Sequence, residues 1–79
     1  QNMFTSIQSL TNLIDKNINY VNEAIENKSN FDDITFNNYI ERMHNKLNNQ
    51  INILKNESTN KKLINKYSRK VNNLFMQLM

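Results

Sequence analysis

Glycine, proline, cysteine and tryptophan are all absent from this 79-residue chain. Without glycine, the tight turns and hairpins that need a left-handed backbone are difficult to build. Without proline, no residue interrupts a helix covalently. Without cysteine, disulfides, thiolate metal ligands and thiol nucleophiles are excluded. No apolar run approaches the ~20 residues of a membrane-spanning helix. Together these absences favour a helical domain.

Asparagine is in marked excess, at 18 of the 79 residues. It is a mediocre helix former, roughly 0.7 kcal/mol worse than alanine at each site, so packing must hold the helices. A chain of this length buries only about 60% of its unfolded surface. Such small domains often depend on a ligand, a partner or self-association for stability.

Apolar residues recur at spacings of three and four in three segments, a pattern typical of amphipathic helices. These stripes span residues 7–25, 36–54 and 64–78. Thr5 and Gln8 have the spacing of a capping box, which indicates a helix start near residue 5.

Two polar breaks separate the stripes. The first is followed by a helix entry with Asp32 as N-cap, where Phe31 and Phe36 have the spacing of a hydrophobic staple. The second, at 56–60, is rich in residues that favour local capping bonds over a continuing helix.

We therefore predict an all-α fold, an antiparallel three-helix bundle with helices at about 5–27, 33–56 and 60–79. Links this short force neighbouring helices to fold back on each other. If 56–60 stayed helical, the alternative would be a two-helix hairpin that dimerises. We expect residues 1–79 to form one domain and, since the chain opens on glutamine, to be part of a longer protein.

Catalysis and metal binding have little support. His44 is the one histidine, and it lies on the flank of the second stripe, three residues from Glu41. A histidine base also needs a nucleophile and an orienting carboxylate. Asp32 and Asp33 are explained by a helix start, and zinc prefers cysteine or several histidines. We predict no enzyme, no catalytic residue and no metal site.

The third segment carries a basic stripe, and residues 60–79 contain no acidic residue. The stripe consists of Lys62, Lys66, Arg69 and Lys70. Basic stripes attract the phosphates of lipids or nucleic acids, although many are simply solvated helix faces. Nucleic acid is disfavoured because Tyr67 and Phe75 belong to the apolar stripe and cannot stack on bases.

Several apolar residues fall outside the tight stripes. They are Leu13, Tyr20, Ile53, Leu63 and Met76. Singly, exposed apolar residues are normal. Together they could widen the seams between helices into a groove for a phospholipid, a fatty acid or a partner helix, or form a homodimer interface.

High asparagine, lysine and isoleucine contents in a short helical piece resemble proteins of malaria parasites. The chain is most similar to the soluble domains of their early-transcribed membrane proteins. This resemblance implies anchoring by a segment outside these residues in the parasitophorous vacuole membrane, with the domain facing the host cytosol. The implied partner is lipid or a host lipid-carrier protein.

A second resemblance is to the BAG domains, three-helix cofactors of a heat-shock chaperone. Arg69, Lys70 and Val71 resemble part of their basic third helix, but the acidic residue expected within 51–53 is missing. This likeness implies the alternative function, an intracellular helical adaptor or chaperone cofactor with no membrane role.

Overall fold

The computed structural model describes the backbone of residues 3–78 and the side chains of residues 7–78. Its elements are helix α1 (Met3–Glu26), a 3-10 turn (Lys28–Asn30), helix α2 (Asp33–Glu57) and helix α3 (Lys61–Met76).

The fold is the predicted all-α three-helix bundle. All three pairs of helices are in contact, and the short connections reverse the chain twice. The described part measures 42 × 23 × 16 Å. The two-helix alternative is wrong, because residues 58–60 leave the helical conformation and separate α2 from α3.

The core is built from the three predicted stripes. Its most deeply buried side chains are Ile14, Val21, Leu47, Leu54 and Val71. Every stripe residue joins or packs against this cluster except Phe36. Phe36 is buried but contacts Phe31 of the α1–α2 connection, with ring centroids 6.3 Å apart.

Side-chain caps define where α2 and α3 begin. Oδ1 of Asp32 accepts a hydrogen bond of 2.7 Å from the backbone N–H of Thr35, which confirms the predicted N-cap. This hydrogen bond, followed by one from the Thr35 hydroxyl, lowers the pKa of Asp32 below its ordinary value. Asn60 caps α3 in the same way, accepting from the N–H of Leu63 at 3.1 Å.

Five of the six predicted helix ends differ from the observed ends by one to three residues. Helix α1 begins at Met3, so Thr5 lies inside the helix and is not its N-cap; its side chain lies outside the described residues. Helix α2 continues to Glu57, which narrows the second break to 58–60. Helix α3 ends at Met76 and not at residue 79, since residues 77 and 78 form a turn.

Candidate functional site

Three cations of α3 form one open basic surface, which we define as Lys62, Lys66 and Arg69. All three are exposed, and with Asn65 they line a shallow depression of about 470 Å³. Around the helix they lie between about 100° and 160° from Tyr67, on the side away from the core. Among the described side chains, none of the three is within ion-pair distance of a carboxylate.

Lys70, the fourth predicted member of the stripe, has a different environment. It lies only about 60° around the helix from Tyr67, which brings it to the seam with α1. Its Nζ is 3.1 Å from Oδ1 of Asp15. The sequence pattern grouped Lys70 with the other three cations of the stripe, whereas the structure places it beside the apolar face of α3 with its charge paired.

Tyr67 connects the basic stripe to α1. It is buried, and its hydroxyl donates a hydrogen bond of 2.9 Å to Oδ2 of Asp15. The ammonium groups of Lys66 and Lys70 lie 5.5 Å and 5.1 Å from its ring centroid, within the range of a cation–π contact. Burial, then the hydrogen bond to Asp15 and its negative charge, raise the pKa of Tyr67.

The two residues of α3 that were predicted as exposed apolar contacts, Leu63 and Met76, differ in exposure. Met76 is 64% exposed and, seven residues after Arg69, extends the line of the basic surface along the helix. Leu63 is half-buried and packs against the core. Its assignment as an exposed contact residue is therefore wrong; seven residues before Lys70, it shares the side of α3 that faces α1.

The other three predicted apolar residues lie on a different side of the bundle. Leu13 and Ile53 line one depression together. Tyr20 lines another, with Phe31 and Tyr39. The five residues therefore do not line one groove between the helices.

Other features of the surface and core were not predicted. Phe31 is 43% exposed and Ile34 is 75% exposed. The exposure of Ile34 could have been predicted, because this residue lies outside the second apolar stripe. Asn17 donates a buried hydrogen bond of 3.1 Å to Oε1 of Gln50. The burial of Asn17 and Gln50 could have been predicted from their spacing, because each lies three residues after one stripe residue and four before another.

His44 is exposed and stacks on Phe75 with ring centroids 4.4 Å apart, as a residue at the edge of the apolar stripe would. Within the part of the chain that the structure describes, no three histidine or acidic side chains are grouped closely enough to hold a metal ion. None of the described helices is long and apolar enough to cross a membrane.

Comparisons of the chain with protein-family models, with curated proteins and with solved structures found no match. The likenesses to early-transcribed membrane proteins and to BAG domains therefore stay predictions.

Proposed function

We propose that this chain is a non-catalytic interaction module whose basic surface binds the phosphates of anionic lipid head groups. The observation that carries the proposal is the grouping of Lys62, Lys66 and Arg69 around one depression. No carboxylate among the described side chains neutralises them. Their positive charge is thus left without a described carboxylate and is accessible to a partner of opposite sign.

The chemistry of the surface suits phosphate. An arginine guanidinium can donate two parallel hydrogen bonds to phosphate oxygens, and lysine adds a mobile point charge. Exposed Met76 lies in line with these cations and offers an apolar contact below the head groups. Positive charge beside an exposed apolar side chain is the combination that binds an anionic membrane surface.

The strength of this attraction indicates how the module works. Each lysine or arginine near an anionic membrane contributes about 1 kcal/mol, so three contribute on the order of 3 kcal/mol. That is too weak for stable attachment, which generally takes two signals. The basic surface is therefore suited to orient a domain that another segment already holds near the membrane.

Nucleic acid fits the surface less well. Single-stranded binders stack bases on exposed aromatic rings, whereas Tyr67 and Phe75, the two aromatic residues of α3, are buried in the core. Three cations also give a small electrostatic contribution to affinity compared with the six to ten phosphate contacts that a DNA-binding protein can make.

The wider setting follows from the resemblance to the early-transcribed membrane proteins. On that basis the module belongs to a protein anchored in the vacuolar membrane of a malaria parasite and faces the host cytosol. Its partner there is membrane lipid or a host lipid-carrier protein. Composition and helical format support this setting; the basic surface supports the lipid contact.

The test is co-sedimentation at low salt and high lipid concentration, which captures weak binding, with phosphatidylserine-rich vesicles compared with neutral vesicles. Lys66→Glu/Arg69→Glu should abolish the binding of the unmodified chain. The matched control is Lys28→Glu/Lys55→Glu, which makes the same change in net charge, from +3 to −1, on exposed sites outside α3. The control should retain most of the binding.

Equal loss in both double variants would reduce the effect to net charge and would overturn the proposal. So would binding that does not fall as salt rises, because screening must weaken contacts between exposed charges. Indifference to lipid, together with specific retention of a chaperone, would instead favour the adaptor alternative.

A further inference from the structure

The side of α1 and α2 that points away from α3 carries apolar residues that stay about half exposed, namely Leu13, Tyr20 and Ile53. We call this side the outer face. On α1, Asp15 faces α3, because it accepts a hydrogen bond from Tyr67. Leu13 and Tyr20 lie about 140–160° from Asp15 around the helix and therefore face away from α3. On α2, His44 contacts α3, and Tyr39 lies about 140° away from it.

The outer face holds two apolar depressions, one toward each end. The first has a volume of about 410 Å³ and is lined by Leu10, Leu13 and Ile53. The second has a volume of about 370 Å³ and is lined by Tyr20 and Tyr39, among others. Leu13, Tyr20 and Ile53 are each between 44% and 48% exposed. Apolar residues grouped in this way mark an interaction surface.

Each depression is flanked by one cation and one anion, on opposite helices. At the first, Lys16 of α1 borders Leu13 and Glu57 of α2 lines the depression. At the second, Glu23 of α1 and Arg42 of α2 are part of the lining. Because the helices are antiparallel, the four charges alternate in sign around the outer face, so that each cation lies next to an anion both along its helix and across to the other helix. We call this arrangement the charge checkerboard.

A checkerboard of charge is complementary to itself. When two copies meet face to face, their two-fold axis lies in the plane of contact. If the axis runs along the helices, Arg42 meets Glu23 of the other copy and Lys16 meets Glu57. If the axis runs across the helices, Arg42 meets Glu57 of the other copy and Lys16 meets Glu23. Either arrangement sets every cation against an anion and apolar surface against apolar surface.

We propose that the outer face binds a second copy of this chain in a two-fold symmetric dimer. The broad side of the bundle, 42 × 23 Å, is of the same order as the roughly 800 Å² that each partner buries in a standard interface. The inference is independent of the proposed lipid contact, which uses the opposite side of the bundle. In this dimer, Leu13, Tyr20 and Ile53 form the apolar part of the interface.

Lys46 is the charge on this face that the checkerboard does not match. It lies seven residues from both Tyr39 and Ile53, between the two depressions on α2, and it is exposed. Two copies of it near a two-fold axis repel each other. Lys46→Gln should therefore tighten the dimer, whereas a face that stays solvated would be indifferent to this substitution.

The test is sedimentation velocity over a range of concentrations, with native mass spectrometry to identify the dimer. Leu13→Asn/Ile53→Asn should raise the dimer dissociation constant about tenfold or more. Both residues are already half-exposed, so the helical circular dichroism spectrum should be retained. Arg69→Glu, on the opposite side of the bundle, is the control and should leave the constant unchanged.

Charge exchange then identifies the axis. Arg42→Glu should weaken the dimer. Adding Glu23→Arg should restore the dimer if the axis runs along the helices, and adding Glu57→Arg should restore it if the axis runs across them. The proposal is overturned by a chain that stays monomeric up to millimolar concentration. It is equally overturned by a dimer that tolerates both the apolar substitutions and Arg42→Glu.

Discussion

The hydroxyl of Tyr67 donates a hydrogen bond of 2.9 Å to Oδ2 of Asp15, which lies 52 residues earlier in the chain. The other carboxylate oxygen of Asp15 accepts from Lys70 at 3.1 Å. One exposed ion pair contributes little stability by itself. Together with the buried apolar stripe of α3, these two bonds to one carboxylate define the rotation of α3 about its axis. That rotation turns the basic surface away from the core.

Removing the hydroxyl of Tyr67 should destabilise the fold modestly. In Tyr67→Phe the ring still fills its place in the core, but the hydrogen bond to Asp15 is lost. We expect the free energy of unfolding in urea to fall by about 0.5–1.5 kcal/mol. Tyr20→Phe is the matched control on an exposed ring and should change it by less than about 0.5 kcal/mol. Equal effects would show that the bond to Asp15 contributes nothing.

The raised pKa of Tyr67 predicts a loss of stability in alkali. Its folded-state pKa lies above the ordinary value of 10.0, so the folded protein holds the proton more tightly than the unfolded chain. The associated stability is complete below pH 10 and declines as pH rises through the folded-state pKa. Urea unfolding across this range should show a steeper decline for the unmodified chain than for Tyr67→Phe. Parallel declines would contradict the assignment.

The cap of α2 predicts the opposite dependence in acid. The pKa of Asp32 is below its ordinary value of 3.8, chiefly through the hydrogen bond from the Thr35 N–H. Its contribution is therefore present above pH 3.8 and is lost as pH falls through the lower folded-state pKa. Asp32→Asn keeps a side-chain acceptor of similar capping strength but does not titrate. Its stability should fall less on acidification than that of the unmodified chain; an identical fall would exclude Asp32 as a cause.

The buried pair of Asn17 and Gln50 predicts coupled effects. Asn17→Ala leaves Gln50 without this partner in a buried seam and should cost about 1–3 kcal/mol. Asn19→Ala, on the exposed side of the same helix, should be neutral or slightly stabilising because alanine is the better helix former. A double-mutant cycle with Gln50→Ala should show a coupling of about 0.5–3 kcal/mol; additive effects would mean that the amides do not interact.

Much of the fold follows from the spacing of apolar residues. The three stripes set the helices, their inward faces and the antiparallel order, because a helix with one apolar side must bury it and short links leave a single arrangement. The cap at Asp32 was also predicted, since capping needs particular side chains at particular spacings; the polar break at 56–60 was predicted, but Asn60 was not singled out as its cap. Thr5 was misleading because the same spacing can occur inside a helix.

The candidate site was less predictable than the fold. Spacing placed Lys70 in the basic stripe and Leu63 outside the apolar stripe. The structure pairs Lys70 with Asp15 of α1 and packs Leu63 against the core, and both environments depend on other helices. Sequence periodicity describes one helix at a time, so it cannot show which exposed residues of two helices meet. The depression shared by Leu13 and Ile53 is a tertiary feature of this kind.

The two proposed surfaces together predict vesicle clustering. A dimer that pairs its outer faces leaves the basic surface of each copy pointing in opposite directions. The unmodified chain should therefore increase the turbidity of anionic vesicles. Leu13→Asn/Ile53→Asn should bind the same vesicles without clustering them. Clustering that survives these substitutions would contradict the outer-face dimer, whereas its absence in the unmodified chain at dimeric concentrations would contradict outward-facing lipid sites.

The lipid contact itself can be located by nuclear magnetic resonance. Backbone amide spectra of the ¹⁵N-labelled chain would be recorded while phosphatidylserine-containing bicelles are added. The largest shifts should cluster on α3 around Lys62, Lys66 and Arg69, and they should diminish with added salt. Shifts confined to α1 and α2, or an unchanged spectrum at saturating bicelle concentration, would contradict the proposed lipid contact.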